Sequence, residues 1–317
     1  MFAGIDIGGT SIKGVITDSE CNIITSGQVH TPDGAEEIDL AIAGLINDMA
    51  RDSGIRRNRI RAAGIGAAGA VDNRKGLVIT SPNIPAWKNH PLAKNIKELT
   101  RIKVVLENDA TVATAGAWLQ NNIRGMSNWI MVTLGTGIGG GAVIENRIYT
   151  GQNGSSLEIG HMTIDINGRE CPCGNRGCLE RYASATALVQ TALQHMASDR
   201  TSSLHRRTET GRLTSKIIYE EACAGDPLAL KSFNEISTYL GYGMVNLINI
   251  FNPQAVVFGG GLSQAYRLIF PVVKSVVREH AMNGLKERTR FIHLRQQSRM
   301  SAMGAARMAI EHLRYSY

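Results

Sequence analysis

Phe2-Ala-Gly-Ile-Asp-Ile-Gly-Gly-Thr-Ser-Ile-Lys-Gly-Val-Ile-Thr17 reads as an apolar strand to Ile7, a glycine–threonine turn, and a return strand from Ser11. The same grammar recurs in Trp129-Ile-Met-Val-Thr-Leu-Gly-Thr-Gly-Ile-Gly-Gly-Gly-Ala-Val-Ile144, with Ala142 to Ile144 as the return strand. A repeated strand–turn–strand implies two similar α/β halves, each presenting one glycine hairpin. Around these, Asp18-Ser-Glu20 turns the chain into a third strand near Asn22 to Thr25. Glu36 to Ala50 places Ile38, Ile42, Leu45, Ile46 and Met49 on one helical face, and Gly54 suits its stop. Ala62 to Gly66 and Lys103 to Leu106 are short buried strands, and Asp109 opens a helix to about Gln120. Ala183 to Met196, Pro227 to Ile250 and Ser301 to Leu313 are helical by pattern. Ala255 to Phe258 is a strand ending in Gly259-Gly-Gly261. The polar stretch Ala197 to Gly211 is expected to be a mobile connection.

The 317 residues, 43% hydrophobic and 19% charged, describe a soluble globular chain of one large or two ordinary domains. No apolar run approaches a membrane span, and the N-terminus shows no secretory signal. Five cysteines, three of them crowded together, fit a reducing compartment better than a disulfide framework. The expected location is the cytoplasm, with no membrane partner. The formal charge is +7. Its clusters, Arg51, Arg56, Arg57, Arg59 and Arg61, and His205-Arg-Arg207, read as solvated faces. Attraction of a polyanion is the other reading, but no aromatics interleave and no nucleic-acid motif accompanies them.

Glycine hairpins bring backbone N–H groups close to an anion without side-chain obstruction. Asp6-Ile-Gly-Gly-Thr10 adds a carboxylate and a hydroxyl, and Lys13 follows. A carboxylate beside a phosphate cradle makes sense where Mg²⁺ lies between them. The stretch is not a Walker A loop. Gly135-Thr-Gly-Ile-Gly-Gly140 matches the dinucleotide fingerprint, yet that motif must open a helix and here a strand follows. Any one of these turns has the plain reading of a tight turn. Two such hairpins and the cluster after Phe258 together favour a nucleotide.

Glu158-Ile-Gly-His161 precedes Cys171-Pro-Cys-Gly-Asn-Arg-Gly-Cys178-Leu-Glu180. His161, Cys171, Cys173 and Cys178 make a complete tetrahedral set for a structural zinc with no open position. Such a staple would hold a loop bordered by Glu158 and Glu180. Glu107-Asn-Asp109 closes an apolar strand and starts a helix, where ligands sit in α/β sheets. Asp109 either caps that helix or accepts a proton from a substrate hydroxyl, as phosphoryl transfer requires. Asn83, Asn108, Glu158 and Glu180 are the amides and carboxylates a polyol needs.

Taken in order and spacing, these motifs resemble the ROK (repressor, open reading frame, kinase) family across nearly the whole chain. The resemblance implies an α/β, two-domain, actin-like sugar-kinase (ribonuclease H-like) fold with a central cleft. The division it suggests is 1–118 plus 301–317 against 119–300. It implies an ATP-dependent kinase for the 6-hydroxyl of a hexose, with Asp109 as base. Gly69, Asn83, Asn108, Glu158, His161 and Glu180 would hold the sugar. Asp6, Gly8, Gly9, Thr10, Lys13, Thr133, Gly135, Thr136, Gly137, Gly259, Gly260 and Gly261 would line ATP and its Mg²⁺. A homo-oligomer, dimer or tetramer, is also implied. Family repressors carry a DNA-binding domain before the first phosphate strand, which here starts at Phe2. The expectation is therefore a kinase with no nucleic-acid partner, and a sugar-sensing regulator is the alternative. Ser81-Pro-Asn-Ile-Pro-Ala-Trp87 looks most like the glucokinases, with N-acetylmannosamine, N-acetylglucosamine, fructose and allose as other substrates. Two departures stand out: Ala68 and Ala70 where many members carry proline beside Gly69, and Leu157 where many carry glycine.

Overall fold

Each strand–turn–strand unit seeds a five-stranded mixed sheet. The computed structural model describes residues 1–81, 84–209, 211–295 and 299–315. The chain begins β1 (Phe2–Ile7), β2 (Ser11–Thr17), β3 (Ile23–His30), α1 (Ala35–Asp52) and β4 (Ala62–Ala67). It continues β5 (Ala70–Asp72), β6 (Leu77–Thr80), β7 (Lys88–His90), α2 (Leu92–Thr100), β8 (Lys103–Asn108) and α3 (Asp109–Ala117). Next come β9 (Trp129–Leu134), β10 (Ile138–Ile144), β11 (Arg147–Ile148), α4 (Glu180–Ala183), α5 (Ala185–Ser198) and α6 (Leu204–Glu209). The chain ends α7 (Ser215–Cys223), α8 (Pro227–Phe251), β12 (Ala255–Gly259), α9 (Tyr266–His280), β13 (Arg290–His293) and α10 (Met300–Tyr315). The sheet orders are β3-β2-β1-β4-β8 and β11-β10-β9-β12-β13, with a small β5-β6-β7 sheet besides. In both large sheets a hairpin is followed by two parallel strands. The internal repeat is therefore architectural.

Contacts divide the chain into Met1–Ser127 with Gly141–Leu157 and Gln297–Tyr317, and Asn128–Gly140 with Glu158–Gln296. The expected division placed 119–127 and 141–157 in the second unit. They group with the first because β11 packs on α3 and the turn beyond it is tied to β5. There, Ser155 Oγ donates to the Val71 carbonyl at 2.7 Å, and Asn73 N donates to the Asn153 carbonyl at 2.9 Å.

In the first unit, period-2 alternation gives β1 two buried faces. Ala3, Ile5 and Ile7 pack with Ile38, Ile42 and Ile46 of α1. Phe2, with Val15 and Ala62, packs with Ala302, Ala306 and Ala309 of α10. Helix α3 is built of small residues buried along its length, so α10 approaches it closely. A Cβ on Gly304 would collide with the Val112 carbonyl oxygen. That contact fixes the helix that Asp109 begins.

Two expectations fail. The 197–211 stretch is not all loop, because α6 forms within it with Leu204 fully buried. The cause is Asp226, which caps α8 through Ala229 N at 2.8 Å. The same carboxylate accepts Ser202 Oγ at 2.9 Å and Ser203 N at 2.7 Å. The glycines from 139 onward do not turn, since β10 runs through them.

Glu107 is the polar exception near the end of β8. It is 4% exposed and accepts Asn73 Nδ2 at 3.2 and 3.3 Å. Burial pushes its carboxyl up to about 7, with the Asn73 hydrogen bond opposing. Well below its ordinary value near 4.5 the group is neutral in both states. Above it, the native state keeps a proton that the unfolded chain has lost. Stability from this group is therefore lost as pH climbs through about 7. Glu107→Gln should exceed the parent by about 2–3 kcal/mol at roughly pH 8, the gap closing towards about pH 5, in urea titrations. A pH-independent gap would refute the buried-proton account. Gly304→Val should lower unfolding free energy by about 2–3 kcal/mol, and an unmoved denaturation midpoint would show that α3 and α10 separate without cost.

Candidate active site

In the first unit, parallel register sets Asp6 opposite Gly66 and Gly66 opposite Glu107, with Ile7, Ala67 and Asn108 as the next line. The Gly8-Gly9-Thr10 turn and the Asn108-Asp109 pair therefore leave one edge of the sheet. They are two strand spacings apart, about 10 Å. Gly8 N donates to the Ser11 carbonyl at 3.1 Å. Thr31 pins the turn from the end of β3: its Oγ1 donates to the Gly8 carbonyl at 2.7 Å, and its N to the Thr10 carbonyl at 3.2 Å. Nothing in the sequence marked Thr31, a lone threonine before a proline. Gly9 and Thr10 are exposed, so their backbone is open to a ligand.

Asp6 lies opposite Lys13 across the hairpin. Burial pushes its carboxyl up to about 6, and Lys13 opposes. A carboxyl held so near neutrality gains from a divalent cation, so this donor fits Mg²⁺ accompanying a nucleotide.

The helix cap is Asn108. Its Oδ1 accepts Ala110 N at 2.8 Å and its Nδ2 donates to the Gly69 carbonyl at 2.9 Å. Gly69 sits at φ 109°. Asp109 shares the Ala110 N–H at 2.8 Å and is exposed at the positive end of α3. Asn108, held by Gly69, is therefore the cap of α3, and Asp109 is the first residue of the helix. Asn83 lies outside the described residues. The segment after it is anchored by Trp87 and by two groups that sequence reading missed, His90 and Asp39. Trp87 is buried and stacks on His90 with centroids 5.9 Å apart. His90 Nε2 is 3.0 Å from both oxygens of buried Asp39.

In the second unit, Thr133 lies opposite Gly259 across parallel β9 and β12. The Gly135–Gly137 turn and the Gly259–Gly261 turn thus leave the sheet side by side. Ala185 N donates to the Gly135 carbonyl at 2.9 Å, Thr186 Oγ1 to the Thr136 carbonyl at 2.8 Å, and Ser263 Oγ to the Gly260 carbonyl at 2.7 Å. Glu180 touches the first turn: its carboxylate accepts Ile138 N at 2.9 Å. It occupies the place where a Cβ on residue 137 would stand, so a side chain there would displace the Glu180 carboxylate. His161 and Glu180 both act electrostatically on Glu158. Burial raises the Glu158 pKa, His161 opposes, and Glu180 adds to the rise.

His161, Cys171, Cys173 and Cys178 converge, one ligand atom of each lying within 4.8 Å of the others. Cys171 Sγ is 3.6 Å from His161 Nδ1. The Sγ atoms of Cys173 and Cys178 are 3.8 Å apart, the separation of two thiolates each about 2.3 Å from a tetrahedral centre. Burial, then the two neighbouring thiols, push Cys178 up to about 12. Three thiols and one imidazole nitrogen at this spacing are a donor set whose chemistry fits zinc. The loop folds around it: Cys171 N donates to the Asn175 carbonyl at 2.9 Å, and Arg176 Nη2 to Glu170 at 2.6 Å. His161 Nε2 has no hydrogen-bond partner among the described residues, whereas Nδ1 faces Cys171.

The sequence matches the ROK family over residues 2–312. A glucokinase of Streptomyces coelicolor is 38% identical over 281 residues, covering 87% of this chain and 86% of its own. A xylose repressor of Bacillus subtilis is 30% identical over 311 residues, 98% of this chain and 77% of its own. The solved structure of a ROK family glucokinase from Streptomyces griseus in complex with glucose and AMPPNP superposes with TM-score 0.82 at 33% identity. The match covers 98% of this chain and 99% of that one. The doubled sheet is that of the actin-like sugar-kinase fold, and this chain belongs to the ROK family.

Proposed function

We propose that this enzyme is an ATP-dependent hexose kinase that phosphorylates the 6-hydroxyl, with glucose as the first substrate. The observation that carries the reading lies within the first unit. An exposed carboxylate at the first residue of α3, Asp109, and an open anion turn, Gly8-Gly9-Thr10, share one sheet edge about 10 Å apart. That distance accommodates a hydroxyl near one and a terminal phosphate near the other. Similarity to glucokinases supports glucose.

Asp109 takes the proton of the 6-hydroxyl as its oxygen bonds to the γ-phosphorus. The bond from that phosphorus to the β–γ bridging oxygen breaks, and ADP leaves. Asn108 orients Asp109's turn through Gly69 and gives a side-chain amide to the sugar edge. Glu158, His161 and Glu180 supply acceptors and a donor for the remaining hydroxyls. A site matched to each hydroxyl rejects a wrong sugar strongly, because a mismatch strands a partner. Backbone N–H groups of Gly8 to Thr10, with Thr133, Gly135, Thr136 and Gly137, receive phosphates, and Gly260 lies towards the nucleoside. When bound, Mg²⁺ neutralises phosphate charge near Asp6 and Lys13. His161, Cys171, Cys173 and Cys178 would hold a structural zinc, which would fix the imidazole ring and leave its Nε2 for the sugar. The five free cysteines suit a reducing cytoplasm.

The xylose-repressor relative supports a second reading, a sensor that binds sugar without turnover. ADP release that needs both glucose and ATP excludes it. Asp109→Asn should cut kcat by roughly 10²-fold or more with glucose still bound, as read by coupled ADP assay and calorimetry. Near-normal turnover would remove Asp109 from the base role. Cys173→Ser, or stripping metal with a chelator, should cost about 2 kcal/mol or more of stability and raise KM for glucose. Melting and KM that ignore metal removal would sink the staple.

A further inference from the structure

A cavity of about 540 Å³ lies in the first unit, walled by the turn between β5 and β6, the start of α2, strand β8, the turn at 150–152 and His312 of α10. No residue assigned above to hexose or ATP lines it. Four exposed cations ring it: Arg74, Lys75, Lys94 and Lys97. Lys75 is 3.6 Å from Asp72 and Lys94 is 4.0 Å from Glu98. Arg74 and Lys97 have no carboxylate partner among the described residues. The rim thus keeps surplus positive charge. The interior is of another kind. Glu107 and Asn73 present a buried carboxyl and an amide. The side chains of Thr150 and Gln152 have no hydrogen-bond partner among the described residues, and both line the same space.

Clustered cations pair with a dianion such as phosphate. Carboxyl, amide and hydroxyl groups pair with hydroxyls. No Phe, Tyr or Trp lines the cavity, its aromatic lining being the smaller imidazole of His312, and the volume is within the range of small-molecule sites. We propose that this cavity binds a polyhydroxylated phosphate monoester of monosaccharide size, at a site separate from those for hexose and ATP.

The probe is glucose 6-phosphate, titrated into the full chain with glucose and AMPPNP in excess to block the substrate sites. One equivalent should still bind. Lys94→Ala/Lys97→Ala should weaken it about tenfold, the equivalent of one charge-assisted hydrogen bond. Gln152→Ala should weaken it several-fold, with melting temperature kept in both variants. Inorganic phosphate should bind about tenfold less tightly, because it cannot use the interior groups. Loss of all binding under the block, indifference to both variants, or equal affinity for inorganic phosphate would overturn the proposal. Binding is read without turnover, so a chain that phosphorylates no sugar would refute the kinase reading and leave this test intact.

Discussion

Hydrogen-bond register across β1, β4 and β8 is the constraint on which the first unit's chemistry depends. Parallel strands end together, so whatever follows them is delivered to one edge. The β1–β2 hairpin is antiparallel, so its turn emerges at that same edge. A slip of one residue would exchange Asp6 for Ile5 or Ile7 and turn core side chains outward. Burial of Ala3, Ile5 and Ile7 against α1 forbids that slip. The apolar pattern of β1 therefore positions a carboxylate that contributes nothing to the core. The second sheet repeats the device, with Thr133 and Gly259 in register.

The acidic groups share a second property. Asp6 at about 6 and Glu107 at about 7 are both raised first of all by burial, and Glu158 moves the same way. Each is destabilising to the fold when ionised and alone. A cation, or a hydroxyl that donates, relieves that strain only when bound. The native state thus holds acceptors whose charge is completed by ligand. Asp109 differs, being exposed at the start of a helix, where an acceptor of protons belongs.

Much of this was legible in the residues. Glycine–threonine turns between apolar strands signal themselves, and so does a Cys/His set at metal-ligand spacing. Asn108 and Asp109 were found at a strand end, but which of them caps α3 was not decided by type, since both residues cap well. Geometry settles it through Gly69. Thr31, Asp39 and His90 act through partners distant in sequence and carry no local pattern. The α6 helix was hidden for the same reason: Asp226, far along the chain, satisfies Ser202 and Ser203. Polar composition announces a loop only when its polar groups have water as their partner. The glycine run to Gly141 misled because glycine suits turns, whereas in β10 it permits close approach. There Gly141 stands against Thr114.

Leu157 shows where the fold bears a local cost. Its φ of 59° lies in the left-handed region, which a residue with a Cβ enters at about 1–2 kcal/mol. The family resemblance places glycine there. The strained peptide immediately precedes Glu158, and no helix longer than one turn of 3-10 supports the chain before α4. Something must over-determine that backbone for the conformation to persist. Short hydrogen bonds within 162–179 do part of this, such as Leu179 N to the Met162 carbonyl at 2.9 Å. A metal held by the four converging donors would add to this, because it would tie His161, three residues past Glu158, to Cys171, Cys173 and Cys178. A leucine in place of glycine would make such a staple more necessary here, since a weaker loop would relax the φ angle and swing the Glu158 carboxylate with it.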